Sequence, residues 1–85
     1  MSMVTAQVSL YPLRQKSIGL AIREAVRVLR QHGLETRIGE MSTLAWGEEQ
    51  AVFAALEEAF HRAAERGDTV MAVTVSNACP SPEEP

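Results

Sequence analysis

The chain has 85 residues, a net charge of −3, a pI near 5.3 and 46% hydrophobic residues. That length implies one domain, and the acidic balance argues against a nucleic-acid partner. The lone Cys79 excludes an internal disulfide, no Cys or His spacing suggests a metal site, and no apolar run approaches the roughly 20 residues that cross a membrane.

Met3 to Tyr11 alternate in character. Val4, Ala6, Val8 and Leu10 point one way, and Thr5, Gln7, Ser9 and Tyr11 the other, which is the period of a strand with one oily face. Pro12 lacks an N–H and stops the pairing. Ser17 then suits a helix start, its hydroxyl accepting from a free backbone N–H. Ile18, Ile22, Val26 and Leu29 recur at steps of four and three and predict the buried stripe of a first helix, with Arg23, Glu24, Arg27 and Arg30 mostly off it. Gly33 supplies the left-handed stop.

Leu34 to Ile38 reads as a short second strand, Gly39 as the opening of a turn, and Glu40 to Trp46 as a third strand paired with the second in a hairpin. Gly47 is expected to start the second helix, with Glu48 and Glu49 in its first turn, where carboxylates suit the helix dipole. Val52, Leu56, Phe60 and Ala63 form the expected buried stripe, widened by Phe53 and Ala59. Glu57 with His61 and Glu58 with Arg62 fall at i,i+4 on the wet side. Gly67 ends the helix, and Thr69 to Val75 is a last strand rich in Val and Thr. Residues 1–77 are thus expected to be a single domain. Residues 78–85, Ala78 to Pro85, hold three of the four prolines and read as a disordered tail.

Strand, helix, strand, strand, helix, strand is two βαβ halves. Right-handed crossovers fold them into a four-stranded antiparallel sheet, order 4-1-3-2, with both helices on one face. This α+β arrangement is the ferredoxin-like βαββαβ sandwich. The face away from the helices should be polar if it met water, yet Leu44 and Trp46 share one side of strand three while Thr43 and Ala45 share the other. Apolar residues on both sides of the sheet predict that a second copy of the chain covers the open face. Oligomerisation is also the stabiliser that remains for so small a domain without a disulfide or metal.

Gln7, Ser9 and Tyr11 project from one side of strand one, Thr43 lies on the neighbouring strand, and Ser17 follows just past their ends. Neutral hydrogen-bonding groups beside one aromatic ring suit a small polar heterocycle, and equally suit an ordinary solvent or interface face. Glu40 and Glu48 flank strand three, where carboxylates neutralise a cationic ligand or simply meet water. His32 and His61 read as surface residues. Trp46 reads as a core or interface residue before a stacking one. No phosphate loop, zinc spacing or nucleophile elbow is present, and Cys79 has no base beside it, so no catalytic residue is assigned. The paired cysteines of a copper chaperone are absent, as are the aromatic pairs of an RNA-recognition domain.

The segment Val8-Ser9-Leu10-Tyr11-Pro12-Leu13, the Ser17 helix start, the Gly33-Leu34 helix stop and Met41-x-Thr43 closing in Gly47-Glu48 resemble the small thiamine-binding proteins once listed as a domain of unknown function. The resemblance runs from about Met3 to Val75. It implies a ferredoxin-like fold, assembly into a homotetramer by pairing and stacking of sheets, and binding of thiamine or its hydroxymethylpyrimidine moiety without catalysis or any other cofactor. Carried over residue by residue, it makes Ser9, Tyr11, Ser17, Met41 and Thr43 ligand-binding candidates. Gln7 and Glu48 join them on chemistry alone. The expectation is a cytoplasmic, non-enzymatic binding protein for a pyrimidine. The alternatives are a structural or regulatory assembly module without a ligand and, less favoured, an enzyme acting on a small heterocycle.

Overall fold

Ten residues, Met3–Pro12, form β1, the strand around which the other elements are arranged. The computed structural model describes residues 2–14, 18–40 and 42–78. After β1 come α1 (Ile18–Gln31), β2 (Glu35–Ile38), β3 (Thr43–Glu48), α2 (Glu49–Arg66) and β4 (Thr69–Ser76). The sheet order is β2-β3-β1-β4, and every neighbouring pair is antiparallel. This is the ferredoxin-like sandwich, with the long β1 and β3 in the centre.

The alternation in β1 decides which face the helices cover. Val4, Ala6 and Val8 are buried and pack with Ala45 of β3, Leu29 of α1 and Val52, Ala55 and Leu56 of α2. Register then sorts the rest. Val8 lies opposite Thr43 and Val73, and Ala6 opposite Ala45 and Val75, so these side chains share the helix face. Gln7 lies opposite Leu44 and Thr74, Thr5 opposite Trp46 and Ser76, and Tyr11 opposite Val70; these share the open face.

The end of α1 is a Schellman stop. Gly33, at φ 82°, donates its N–H to the Arg30 carbonyl at 2.9 Å, and Leu34 donates to the Leu29 carbonyl at 3.3 Å. Leu34 and Leu29 both enter the core cluster, the apolar contact that accompanies this motif.

Three expectations are corrected. Gly47 does not start α2. It is the fifth residue of β3, opposite Val4, and Glu48 caps the helix by accepting from Ala51 N at 3.1 Å. A Cβ at Gly47 would stand 2.7 Å from Leu34 Cδ2, so any larger residue there would have to displace the end of the Leu34 side chain. Glu40 belongs to the β2–β3 turn, closed by Gly39 N–H to the Ser42 carbonyl at 2.8 Å, so β3 begins only at Thr43. The helix stripes differ in part from expectation, since Val26, Leu29, Val52, Leu56, Ala59 and Ala63 are buried as expected. The buried residues of α1 are Ala21, Ala25, Val26, Val28 and Leu29, whereas Ile18 is 56% exposed. Those of α2 are Val52, Ala55, Leu56, Ala59 and Ala63, and Phe60 and Phe53 are exposed. Ala25 and Val28 pack on Ala59. Close approach of two helices to each other and to a sheet favours small side chains at the contact and turns larger ones outward.

Candidate functional site

The helix-covered face holds a recess of about 100 Å³ where α1 passes over the β2–β3 turn. Its apolar walls come from Val8 and Leu10 of β1, Ile22, Val26 and Leu29 of α1, and Ile38 of β2. Its polar rim is Ser9, Gly39, Glu40, Ser42 and Thr43. The local chain explains this composition. Gly39 and Ser42 are hydrogen-bonded across the turn of the hairpin, so Glu40 and Ser42 sit at the end of the β2–β3 pair. Thr43, the first residue of β3, is drawn beneath α1 by its pairing with Val8 and is 8% exposed. An apolar cavity of about 150 Å³ holds benzene, so the recess is on the scale of one aromatic ring. Polar residues beside an apolar wall are the composition of a small-molecule site.

The candidates divide. Ser9 and Thr43 both line the recess. Gln7 stays on the open face, where it donates from Nε2 to Ser42 Oγ at 3.3 Å. Tyr11 is on the open face beside Val70 and half exposed, away from the recess lining. Glu48 is at the opposite end of β3, opposite Met3, where its carboxylate caps α2. Five residues of strand at about 3.3 Å each separate it from Thr43. Ser17 and Met41 lie outside the described residues. Of Gln7, Ser9, Tyr11 and Thr43 the recess therefore brings together only Ser9 and Thr43, while Gln7 and Tyr11 stay on the open face. The α1 wall, Ile22, Val26 and Leu29, was assigned from sequence only to the core. Its signal was the same stripe, which both packs on the sheet and roofs the recess.

Outside the recess, two carboxylates tie the helices together. Arg66 Nε donates to Glu24 Oε1 at 3.0 Å and joins α2 to α1. This hydrogen bond holds the Glu24 carboxyl below its ordinary value, against the effect of desolvation, and the fields of Arg66, Arg62 and Arg27 add to it. Glu58 accepts from Arg62 at 2.8 Å and is bonded to His32 Nε2 at 2.7 Å, and the His32 bond is the largest cause of its lowered pKa. His32 thus meets α2 rather than solvent alone. His61 lies 3.8 Å from Glu65 rather than pairing with Glu57. Among the described residues no group of His, Cys, Asp and Glu could hold a metal, and no helix is long and apolar enough to cross a membrane.

A ferredoxin-like domain with one face under helices, one face bare and a small recess at the sheet end is the class that fold and site define. Residues 3–82 match the model of the YKOF-related family, and the chain belongs to that family. Three solved structures are similar in fold. A hypothetical protein of Methanocaldococcus jannascii superposes with a TM-score of 0.83 at 23% identity, over 99% of this chain and 87% of that one. A domain of unknown function, DUF77, from Bacillus cereus gives 0.76 at 20% identity over 88% and 75%. A candidate thiamine biosynthesis/salvage protein of Thermotoga maritima gives 0.75 at 16% identity over 86% and 81%. No curated protein matches the chain.

Proposed function

We propose that this protein binds thiamine or its hydroxymethylpyrimidine moiety in the recess under α1, without catalysing a reaction, and does so as a homo-oligomer. The observation that carries the reading is the recess itself, ring-sized and apolar-walled, with Ser9, Glu40, Ser42 and Thr43 among its lining residues. An aminopyrimidine presents ring nitrogens that accept and an amino group that donates, which hydroxyls and a carboxylate match. A carboxylate at the mouth also suits the thiazolium cation of the whole vitamin. The description of the Thermotoga maritima structure as a thiamine biosynthesis/salvage candidate supports the same ligand class.

Titration calorimetry of thiamine and of hydroxymethylpyrimidine into wild type and Thr43→Val tests it. Valine keeps the shape and β-branching of Thr43 and deletes the hydroxyl. Leaving a ligand polar atom buried and unpaired costs about 1–3 kcal/mol, or about one to two decades in affinity. Equal affinity would remove Thr43 from the site. No binding to wild type would favour the second reading, an assembly module, for which the apolar Leu44 and Trp46 on the open sheet face speak.

A further inference from the structure

The outer side of α1 carries two parallel rows. Arg23, Arg27 and Arg30 follow one another at i, i+4 and i+7, and Gly19, Ile22 and Val26 run beside them. Together with Ile38 of β2 these rows line an open groove of about 760 Å³. Ile22, Val26 and Ile38 also line the recess, so groove and recess share one apolar wall. A molecule filling the recess and emerging past Ile38 would run along the arginine row.

The charge of the groove is unusual for this chain. The protein has eight Lys and Arg against eleven Asp and Glu, yet three of the eight line this groove and no carboxylate does. Among the described residues none of these three guanidiniums has a carboxylate within ion-pair distance. Arg30 donates from Nε to the Thr36 hydroxyl at 2.8 Å, which fixes its side chain along β2. Glu24, the acid nearest in sequence, is hydrogen-bonded to Arg66, and Arg27 acts on it only through its field. Gly19 leaves the N-terminal end of the groove open, with nothing within 4 Å of where its Cβ would be.

We infer that the ligand of this protein is a phosphate ester, its heterocycle in the recess and its phosphate on Arg23 and Arg27. The inference rests on the proposed pyrimidine site and names the chemical form that the site selects. A guanidinium presents a planar fork of donors matched to phosphate oxygens. Two of them on adjacent helical turns, unpaired by acids, give a dianion partners that a neutral hydroxymethyl group could not use. Glu40 lines the recess, where a carboxylate suits the donating amino group of an aminopyrimidine.

Calorimetry with thiamine, thiamine monophosphate, thiamine diphosphate and inorganic phosphate, at two salt concentrations, tests this on wild type and on the double variant Arg23→Gln, Arg27→Gln. Glutamine has a helix propensity close to that of arginine, and the melting temperature of the variant without ligand checks its fold. The expected result is a preference of at least about ten-fold for the phosphate esters over thiamine, reduced by salt. The double variant should lose that preference while its affinity for thiamine stays unchanged. Equal affinity of wild type for thiamine and its esters would overturn the phosphate site and leave the proposed ligand standing. Failure of all the thiamine compounds to bind would overturn both. Inorganic phosphate binding as tightly as the esters would assign the arginines to a free anion and overturn the ester.

Discussion

At the residue scale, parity along the strands decides the site. Sequence alternation correctly splits β1 into Val4, Ala6, Val8 on one side and Gln7, Ser9, Tyr11 on the other, and splits β3 into Thr43, Ala45 and Leu44, Trp46. It cannot say which half of β3 shares a face with which half of β1. These strands are separated by a helix and another strand, so no turn fixes their register, and a slip of one residue would exchange the faces. The observed pairing of Val8 with Thr43 takes Thr43 away from Gln7 and puts it under α1. A second threonine shows what burial of a hydroxyl costs in this domain. Thr69, at the start of β4 opposite Pro12, has Oγ1 buried without a hydrogen-bond partner among the described residues. Thr69→Val removes that unsatisfied oxygen at nearly constant shape. Stability should rise by about 1 kcal/mol, or about 4–8 °C in Tm for a domain of this size. A lower Tm in calorimetry would show that the hydroxyl is hydrogen-bonded in solution.

At the element scale, periodicity located both helices but assigned their inner faces to the largest apolar side chains. Ile18, Phe53 and Phe60, expected inward, are exposed; Ala59 and Ala63 are buried as expected, and Ala21, Ala25 and Ala55 are buried outside the expected stripes. Alanine carries little signal in a hydrophobic stripe, so of the contact between α1 and α2 the Ala59 side is legible in the sequence and the Ala25 and Val28 side is not. The ties across that contact were equally hidden. Glu24 and Arg66 are 42 residues apart and His32 and Glu58 are 26 apart, and nothing local links them. Both carboxyls are held below their ordinary pKa of 4.5 by these hydrogen bonds. A carboxyl depressed in the folded state contributes stability that is fully present above its unfolded pKa and lost as pH falls through its folded one. The contribution of Glu24 should therefore persist at neutral pH and disappear below about pH 4.5. Glu24→Gln should lower stability near pH 7 and converge with wild type in the acid range, as read by denaturant melts between pH 7 and 3. A constant gap at every pH would assign the loss to packing instead.

At the scale of the whole molecule, the fold was the most legible feature, because element order and chirality leave few arrangements of βαββαβ. The covered and bare faces of the resulting sheet then bear on assembly. On the bare face, Tyr11 and Val70 are 51% and 49% exposed, Leu44 is half-buried, and Trp46 is only 9% exposed yet belongs to neither core cluster. Thr5, Gln7 and Thr74 complete that face without contributing a charge, and Glu35 and Arg37 stand at its β2 edge. A neutral surface with an apolar centre and a charged margin has the layout of an interface, with charge depleted from its core. The proposed homo-oligomer, a tetramer if sheets both pair and stack, would bury it. Sedimentation velocity at micromolar concentration should show a species heavier than the 9.3 kDa monomer. Leu44→Lys should dissociate it, because a lysine at the centre of two stacked sheets leaves an ammonium without water or partner. An intact oligomer in Leu44→Lys would move the interface to the sheet edges, β2 or β4. A clean monomer in wild type would leave the sheet face bare and remove oligomerisation from the proposed function. The recess under α1 lies on the other side of the sheet, so ligand binding by such a monomer would still stand on its own measurement.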